Sequence, residues 1–195
     1  MPNAPSRSIP PRQGLARRLD RAAVVAAAAE IADRSGLDAV TLTAVANLLG
    51  VRAPSLYAHV ESLSKLLSDL ATLGLREMDE VLTRATLGRS GQDALLALAR
   101  AYRAHAHARP GSYAAGVACF DRSDAAALAA GEALLATTLG VLAPDADPES
   151  DATIHRVRIL RAGLHGFVSL EMAGAFGFST DVETTFERLV DSLTA

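Results

Sequence analysis

The segment Thr41–Val60, TLTAVANLLGVRAPSLYAHV, decides how the chain reads. Thr41 has the side chain of an N-cap, Val45, Ala46 and Leu49 fall on one helical face, and Gly50 ends that short helix. A second short helix begins near Ala53, with Pro54 in its first turn, where no amide partner is lost. Leu56 and Val60, four apart, face inward with Val51. Ser55 and His59, also four apart, face outward with Arg52 near the helix start. A short helix, a glycine-bearing turn and another short helix form the helix-turn-helix plan, whose second helix offers Arg and small polar side chains to base edges in the major groove. An ordinary helical hairpin in a bundle has the same pattern, so the residues alone leave both readings open.

Upstream, Val24, Ala27, Ala28 and Ile31 mark a first helix, with Gly36 placed as its left-handed cap. Residues 1–18 hold four of the eight prolines together with Arg7, Arg12, Arg17 and Arg18, and read as a disordered basic arm suited to minor-groove or backbone contacts. Residues 19–67 then form the DNA-binding module, with the motif at about 42–61, and residues 68–195 a helical body. The body's helices are expected at Leu63 to about Ala85, from Ser90-Gly91 to Pro110, over Ser123–Leu142 and from Pro148 onward. A last helix opens on a capping box at Thr180-Asp181-Val182-Glu183. The module boundary falls inside the Leu63–Ala85 helix.

Composition agrees. Half of the 195 residues are apolar, only 4% are aromatic and Trp is absent, so the core is built from Ala, Leu and Val. The expected fold is all-α, an N-terminal three-helix domain plus a C-terminal helical bundle, about nine helices in all. The net charge of −3 hides an asymmetry. Up to Lys65, the only lysine, eight basic side chains face five acidic ones, a net of +3, and the remainder carries eleven against seventeen, a net of −6. A basic reading module on an acidic body gives this distribution, as does a solvated arginine-rich tail.

Other classes find little support. Cys119 is the single cysteine, so no internal disulfide or cysteine zinc site forms. His105 and His107 are two apart on a helix and point to opposite sides, while His155 and His165 lack ligand partners at useful spacing. There is no phosphate-binding glycine loop and no nucleophile elbow. Neither catalysis, metal nor cofactor is expected. No signal-peptide stretch and no apolar run of roughly 18 residues is seen, which fits a cytoplasmic protein.

Residues 24–67 resemble the DNA-binding domain of TetR-family regulators. The matching features are Gly36, Thr41-Leu42, Val45-Ala46, Leu49-Gly50-Val51, Leu56-Tyr57 and His59-Val60. The resemblance implies that Thr41, Tyr57 and His59 hold phosphates while Thr43, Arg52, Pro54 and Ser55 approach bases. Thr41 also serves as an N-cap, Tyr57 also suits half-buried packing, and Pro54 also suits helix initiation. The family's lysine at the start of its fourth helix is Leu63 here. Lys65, about 200° further round the helix, is a candidate phosphate contact of its own.

Residues 161–177 loosely resemble the family's WHG-type regulatory domain, with Leu164-His165-Gly166 in place of Trp-His-Gly. The long helix there carries two apolar faces, Val157, Leu160, Leu164, Phe167 and Val168 on one and Gly163, Gly166, Leu170 and Gly174 on the other. The second face, with Phe186, Leu189, Val190 and Leu193 of the last helix, is expected to form a two-fold homodimer interface. A ligand pocket is expected among the middle helices, lined by Tyr102, His105, Tyr113, Phe120, Phe167, Glu171 and Met172. Together these readings describe a repressor released from palindromic double-stranded DNA by a small-molecule effector. The alternative is an all-helical ligand-binding or interaction protein without DNA activity.

Overall fold

The structure is a computed structural model that describes residues 19–193. Its regular elements are helices: α1 (Arg21–Ser35), a 3-10 turn (Leu37–Ala39), α2 (Leu42–Leu49), α3 (Ala53–Leu56), α4 (Leu63–Thr86), α5 (Gly91–Ala108), α6 (Pro110–Ala118), α7 (Ala125–Leu142), α8 (Asp151–Met172) and α9 (Val182–Ser192). The all-α expectation of about nine helices matches these described residues. The basic arm with Arg7, Arg12, Arg17 and Arg18 lies outside them.

Most helix starts have a side-chain cause. Asp20, Thr41, Ser62, Asp124, Ser150 and Asp181 each accept a backbone N–H two or three residues on, satisfying amides that the first turn leaves open. These caps also correct three expected boundaries. α7 starts at Ala125 because Asp124 caps it, α8 at Asp151 behind Ser150, and α9 is capped by Asp181 rather than Thr180. Gly50 is left-handed (φ 69°, ψ 28°) and closes α2 as expected. Gly36 instead takes φ 83° and ψ 166°, an extended mirror-image conformation open essentially to glycine alone.

The helix expected from Ser90-Gly91 to Pro110 is α5, which ends at Ala108. Pro110 also opens a helix that was not expected, α6, because proline lacks an amide hydrogen and its fixed φ suits a first helical turn.

Two cores result. Val24, Ala28, Val45, Leu56, Val60, Leu66 and Leu70 fill the first, under α1–α3. Met78, Leu82, Leu98, Leu164, Phe167 and Phe186 fill the second. The first half of α4 belongs to one core and its second half to the other, with no linker between them.

α6 is wedged between the two cores. A Cβ on Gly111 would lie 2.2 Å from the Ala32 carbonyl carbon of α1, and one on Gly74 of α4 would lie 2.2 Å from the Ser112 oxygen. Asp33 of α1 pins the start of α6, accepting from the Gly111 and Ser112 amides (2.8 and 3.2 Å) and lying 3.0 Å from Arg109, which also reaches Glu77 at 3.1 Å. Asp33→Ala strands two amides at a partly buried helix start and is expected to lower stability by about 1–2 kcal/mol. Thermal unfolding should register this as a melting point lower by about 2–8 °C.

One composition expectation fails. α7 is 18 residues long with a mean hydropathy of 1.7, so by length and composition it is apolar enough to cross a membrane. Its Thr and Gly residues and Glu132 hide this when only unbroken apolar runs are sought. In this structure α7 lies along α4.

Candidate functional site

The helix-turn-helix presents a narrow exposed edge. Thr41, Thr43, Arg52, Pro54, Ser55 and Tyr57 are all exposed and His59 is partly exposed, while Leu56 and Val60 are buried beneath them. Their common exposure follows from the period. Leu56 and Val60 point into the first core, so the residues between them face out. Thr41 Oγ1 accepts the Ala44 amide at 3.0 Å, and its exposed position leaves it within reach of a partner outside the chain. α3 is one turn long, extended by hydrogen bonds from the His59 and Val60 amides to the Leu56 carbonyl (2.8 and 2.9 Å).

Charge on this module is almost entirely neutralised. Arg21 makes two 2.7 Å bonds to Asp69, and Arg34 pairs with Glu30. Among the described residues up to Lys65, Arg52 is the one basic side chain with no carboxylate partner. An unpaired guanidinium on an exposed edge is available for a phosphate or a guanine.

Lys65 is placed differently from the sequence expectation. Its ammonium is held by Asp69 (3.3 Å) and by Asp124 at the start of α7, so it ties the module to the body rather than standing free for phosphate. Lys65 and the amides of Ala127 and Ala126 hold the Asp124 carboxyl down at about 2.

A second feature lies in the body. A cavity of about 450 Å³ runs among α4, α5, α6, α7 and α8. Leu75, Met78, Leu82, Leu98, Leu134 and Leu160 give it an apolar wall, and Tyr102, Tyr113 and Phe120 line it as expected. The Tyr102 and Tyr113 hydroxyls are 3.1 Å apart, and the Tyr113 hydroxyl lies 2.5 Å from His165 Nδ1. Burial pushes both phenols above their ordinary 10, so they remain protonated donors.

Four expected lining residues lie elsewhere. Phe167 is buried between Phe176 and Phe186, with ring centroids 4.9 and 5.0 Å away. Glu171 is bound by Arg103 at 2.5 Å and by His107 at 2.8 Å, which places it in an ion network joining α5, α8 and α9. Met172 ends α8 on the surface. His105 is buried away from the cavity wall and feels the charges of Glu77, Arg109 and Asp33. The sequence reading in turn missed Arg122 and Arg161, which do line the cavity. Arg161 is on α8 and Arg122 in the turn between α6 and α7, and no local spacing sets either apart from other exposed arginines.

His105 is buried, and its Nε2 has no partner. Burial pushes its pKa below the ordinary 6.5, with Glu77 opposing, Arg109 reinforcing and Asp33 opposing. Below pH 6.5 the unfolded chain takes up a proton that the folded chain refuses, so stability falls as pH drops through that value toward the lowered one. Urea midpoints at pH 7.5 and 5.5 should therefore differ more for the native chain than for His105→Leu, by up to about 1.4 kcal/mol per pH unit of the window.

The expected subunit interface also needs revision. Phe186 and Val190 are fully buried in the second core, because α9 has one apolar stripe and its own subunit uses it. Gly163 is filled from within the chain: a Cβ there would meet Leu189 and Leu193 at 3.5 Å. Gly174 lies beyond α8 at φ 66° and acts as a helix terminator. Gly166 faces open space, and Leu170 and Ile159 are 50% and 57% exposed.

Comparison with known proteins sets this geometry in context. Residues 95–193 match the family model described as Tetracyclin repressor-like, C-terminal domain. Across 100% of the chain and 92% of the relative, 34% of residues are identical to the HTH-type transcriptional regulator Rv0681 of Mycobacterium tuberculosis. The HTH-type transcriptional regulator YobS of Bacillus subtilis is 33% identical, over 88% of this chain and 87% of its own. Among solved structures, a single-substitution variant of TetR from Acinetobacter baumannii, in complex with minocycline, has the same fold. Its TM-score is 0.64, with 23% identity over 91% of this chain and 95% of the other.

Proposed function

The chain belongs to the TetR family of DNA-binding transcriptional regulators, and from that premise we propose that it is a homodimeric repressor released from its operator by a small molecule held in the cavity. Thr43, Arg52, Pro54 and Ser55 face bases in this reading, while Thr41, Tyr57 and His59 hold phosphates. The observation that carries it is mechanical continuity. α4 and α6 line the cavity, and the same two helices are fixed to the reading module, α4 through its shared core and α6 through Asp33. A ligand that favours one arrangement of these helices changes the placement of α3 and so changes operator affinity. The minocycline bound by the Acinetobacter TetR variant is a small molecule taken up by a protein of the same fold.

Dimerisation uses the part of α8 that the subunit leaves uncovered, Ile159, Gly166 and Leu170, with Leu189 and Leu193 at its border. Two recognition helices then meet a palindrome with half-sites about 34 Å apart or a multiple of that. The protein works in the cytoplasm, where that DNA is. Sedimentation velocity with a labelled fragment from upstream of the gene tests the assembly. Two chains per palindrome are expected, and Gly166→Arg should yield a monomer with weakened DNA binding. A native chain that sediments as a monomer at micromolar concentration removes the dimer from the account.

A further inference from the structure

The chemical class of the effector is written in the charge of the cavity wall. Among the residues lining it, the only charged side chains are Arg161 and Arg122, and there is no carboxylate. Four other arginines of the body are paired, Arg89 with Asp93, Arg100 with Glu187, Arg103 with Glu171 and Arg109 with Glu77, and those without a carboxylate partner, such as Arg76, Arg156 and Arg188, do not line the cavity. Arg161 and Arg122 have no carboxylate partner among the described residues. Both are exposed and both line the cavity, so they stand at the wet rim of a largely apolar chamber. A guanidinium beside a low-dielectric wall draws an anion, and its fixed fork suits two carboxylate oxygens.

The remaining polar groups sort themselves. Ser112 Oγ already accepts from Arg109 at 3.3 Å, and Thr138 Oγ1 donates to the Leu134 carbonyl at 2.8 Å. The Tyr102–Tyr113–His165 chain can run in either direction. With the imidazole proton on Nδ1, His165 donates to Tyr113, Tyr113 donates to Tyr102, and the Tyr102 hydroxyl is left to donate into the cavity. Tyr102, Tyr113 and Arg161 line the same cavity, and the charge of Arg161 is felt at both phenols.

We propose that the cavity takes an amphiphilic organic carboxylate, its anionic end at Arg161 and the Tyr102 hydroxyl and its apolar body along Leu75, Met78, Leu98 and Leu160. At about 30 Å³ per non-hydrogen atom, by analogy with liquid water, the cavity of about 450 Å³ holds on the order of fifteen such atoms. An alkyl and an aryl carboxylate of that size share this chemistry. The assignment rests on the cavity being the effector site, as proposed above.

Isothermal titration of the full chain with dodecanoate, 1-naphthylacetate, dodecan-1-ol and dodecylamine tests it. At least one carboxylate is expected to bind once per chain, at least about tenfold more tightly than the alcohol, as a charge-assisted hydrogen bond gives. Which carboxylate prevails tells an alkyl from an aryl source. Arg161→Leu should bring the carboxylate down to the level of the alcohol. Arg161→Gln, which keeps a polar side chain at the rim, should do the same and covers the case of a leucine variant that misfolds. Equal binding of alcohol or amine, no carboxylate binding, or a preference that survives both substitutions overturns the proposal. Repeating the titration with operator DNA present separates the two claims. Carboxylate binding without DNA release supports the ligand class and removes the effector role, whereas release by the neutral alcohol alone overturns the class and keeps the role.

Discussion

Arg52→Ala should weaken operator binding by about 5- to 150-fold without lowering the melting temperature. The direction follows from the ion pairs. Arg21, Arg34 and Lys65 are each committed to carboxylates, so Arg52 is the one basic side chain of the described reading module left for DNA. A bidentate contact of Arg to guanine gives about 1–3 kcal/mol of discrimination, which is the stated range in affinity. Stability is spared because Arg52 is exposed and caps α3 through its backbone only. Fluorescence anisotropy across several operator variants reads the nature of the contact. Loss of preference at one base position marks a base contact, and uniform weakening with a shallower salt slope marks a phosphate contact. Unchanged affinity would remove Arg52 from the interface.

Leu56→Ala should lower stability by about 2–5 kcal/mol, and the affected part should be the DNA-binding end. Leu56 is 0% exposed and sits in the first core with Val45, Val60 and Leu66. It is the central anchor of a helix only four residues long, which cannot hold its own shape without tertiary contacts. Removing three carbons leaves a cavity beneath the base-facing edge and frees α3 to reorient. Urea unfolding should show the loss as a lower midpoint, and amide exchange should speed up most in residues 42–60. The second core meets the first only along α4 and α6, so protection around Leu98, Leu164 and Phe186, on other helices, should change little.

What could be read from the chain alone was what depends on local spacing. Leu56 and Val60 four apart, Gly50 after Leu49 and Thr41 before Leu42 fix buried face, stop and start, and each behaves as its neighbours dictate. The same logic failed where a residue has two local meanings. Pro110 ends one helix and begins another, and only the packing of Gly111 on Ala32 and of Gly74 on Ser112 shows why a helix is needed there. Contacts distant in sequence were invisible. Lys65 meets Asp124 59 residues away, and Arg103 draws Glu171 out of the expected pocket across 68. Phe186 and Val190 carried a correct amphipathic signal, but an apolar stripe does not say whose core it enters. Arg161 on its helix and Arg122 in the turn before α7 were passed over because an arginine at such a position is usually just solvated. Their unpaired state becomes informative only once the cavity beside them is seen.

The most direct test of a DNA-reading function measures anisotropy with two duplexes, one from upstream of the gene and one of the same length with its sequence scrambled, over roughly 50–200 mM salt. A specific regulator is expected to prefer the upstream duplex by on the order of 10³-fold or more, with affinity for both falling steeply as salt rises. Equal binding to the two duplexes at every salt concentration, or binding to neither, would contradict it.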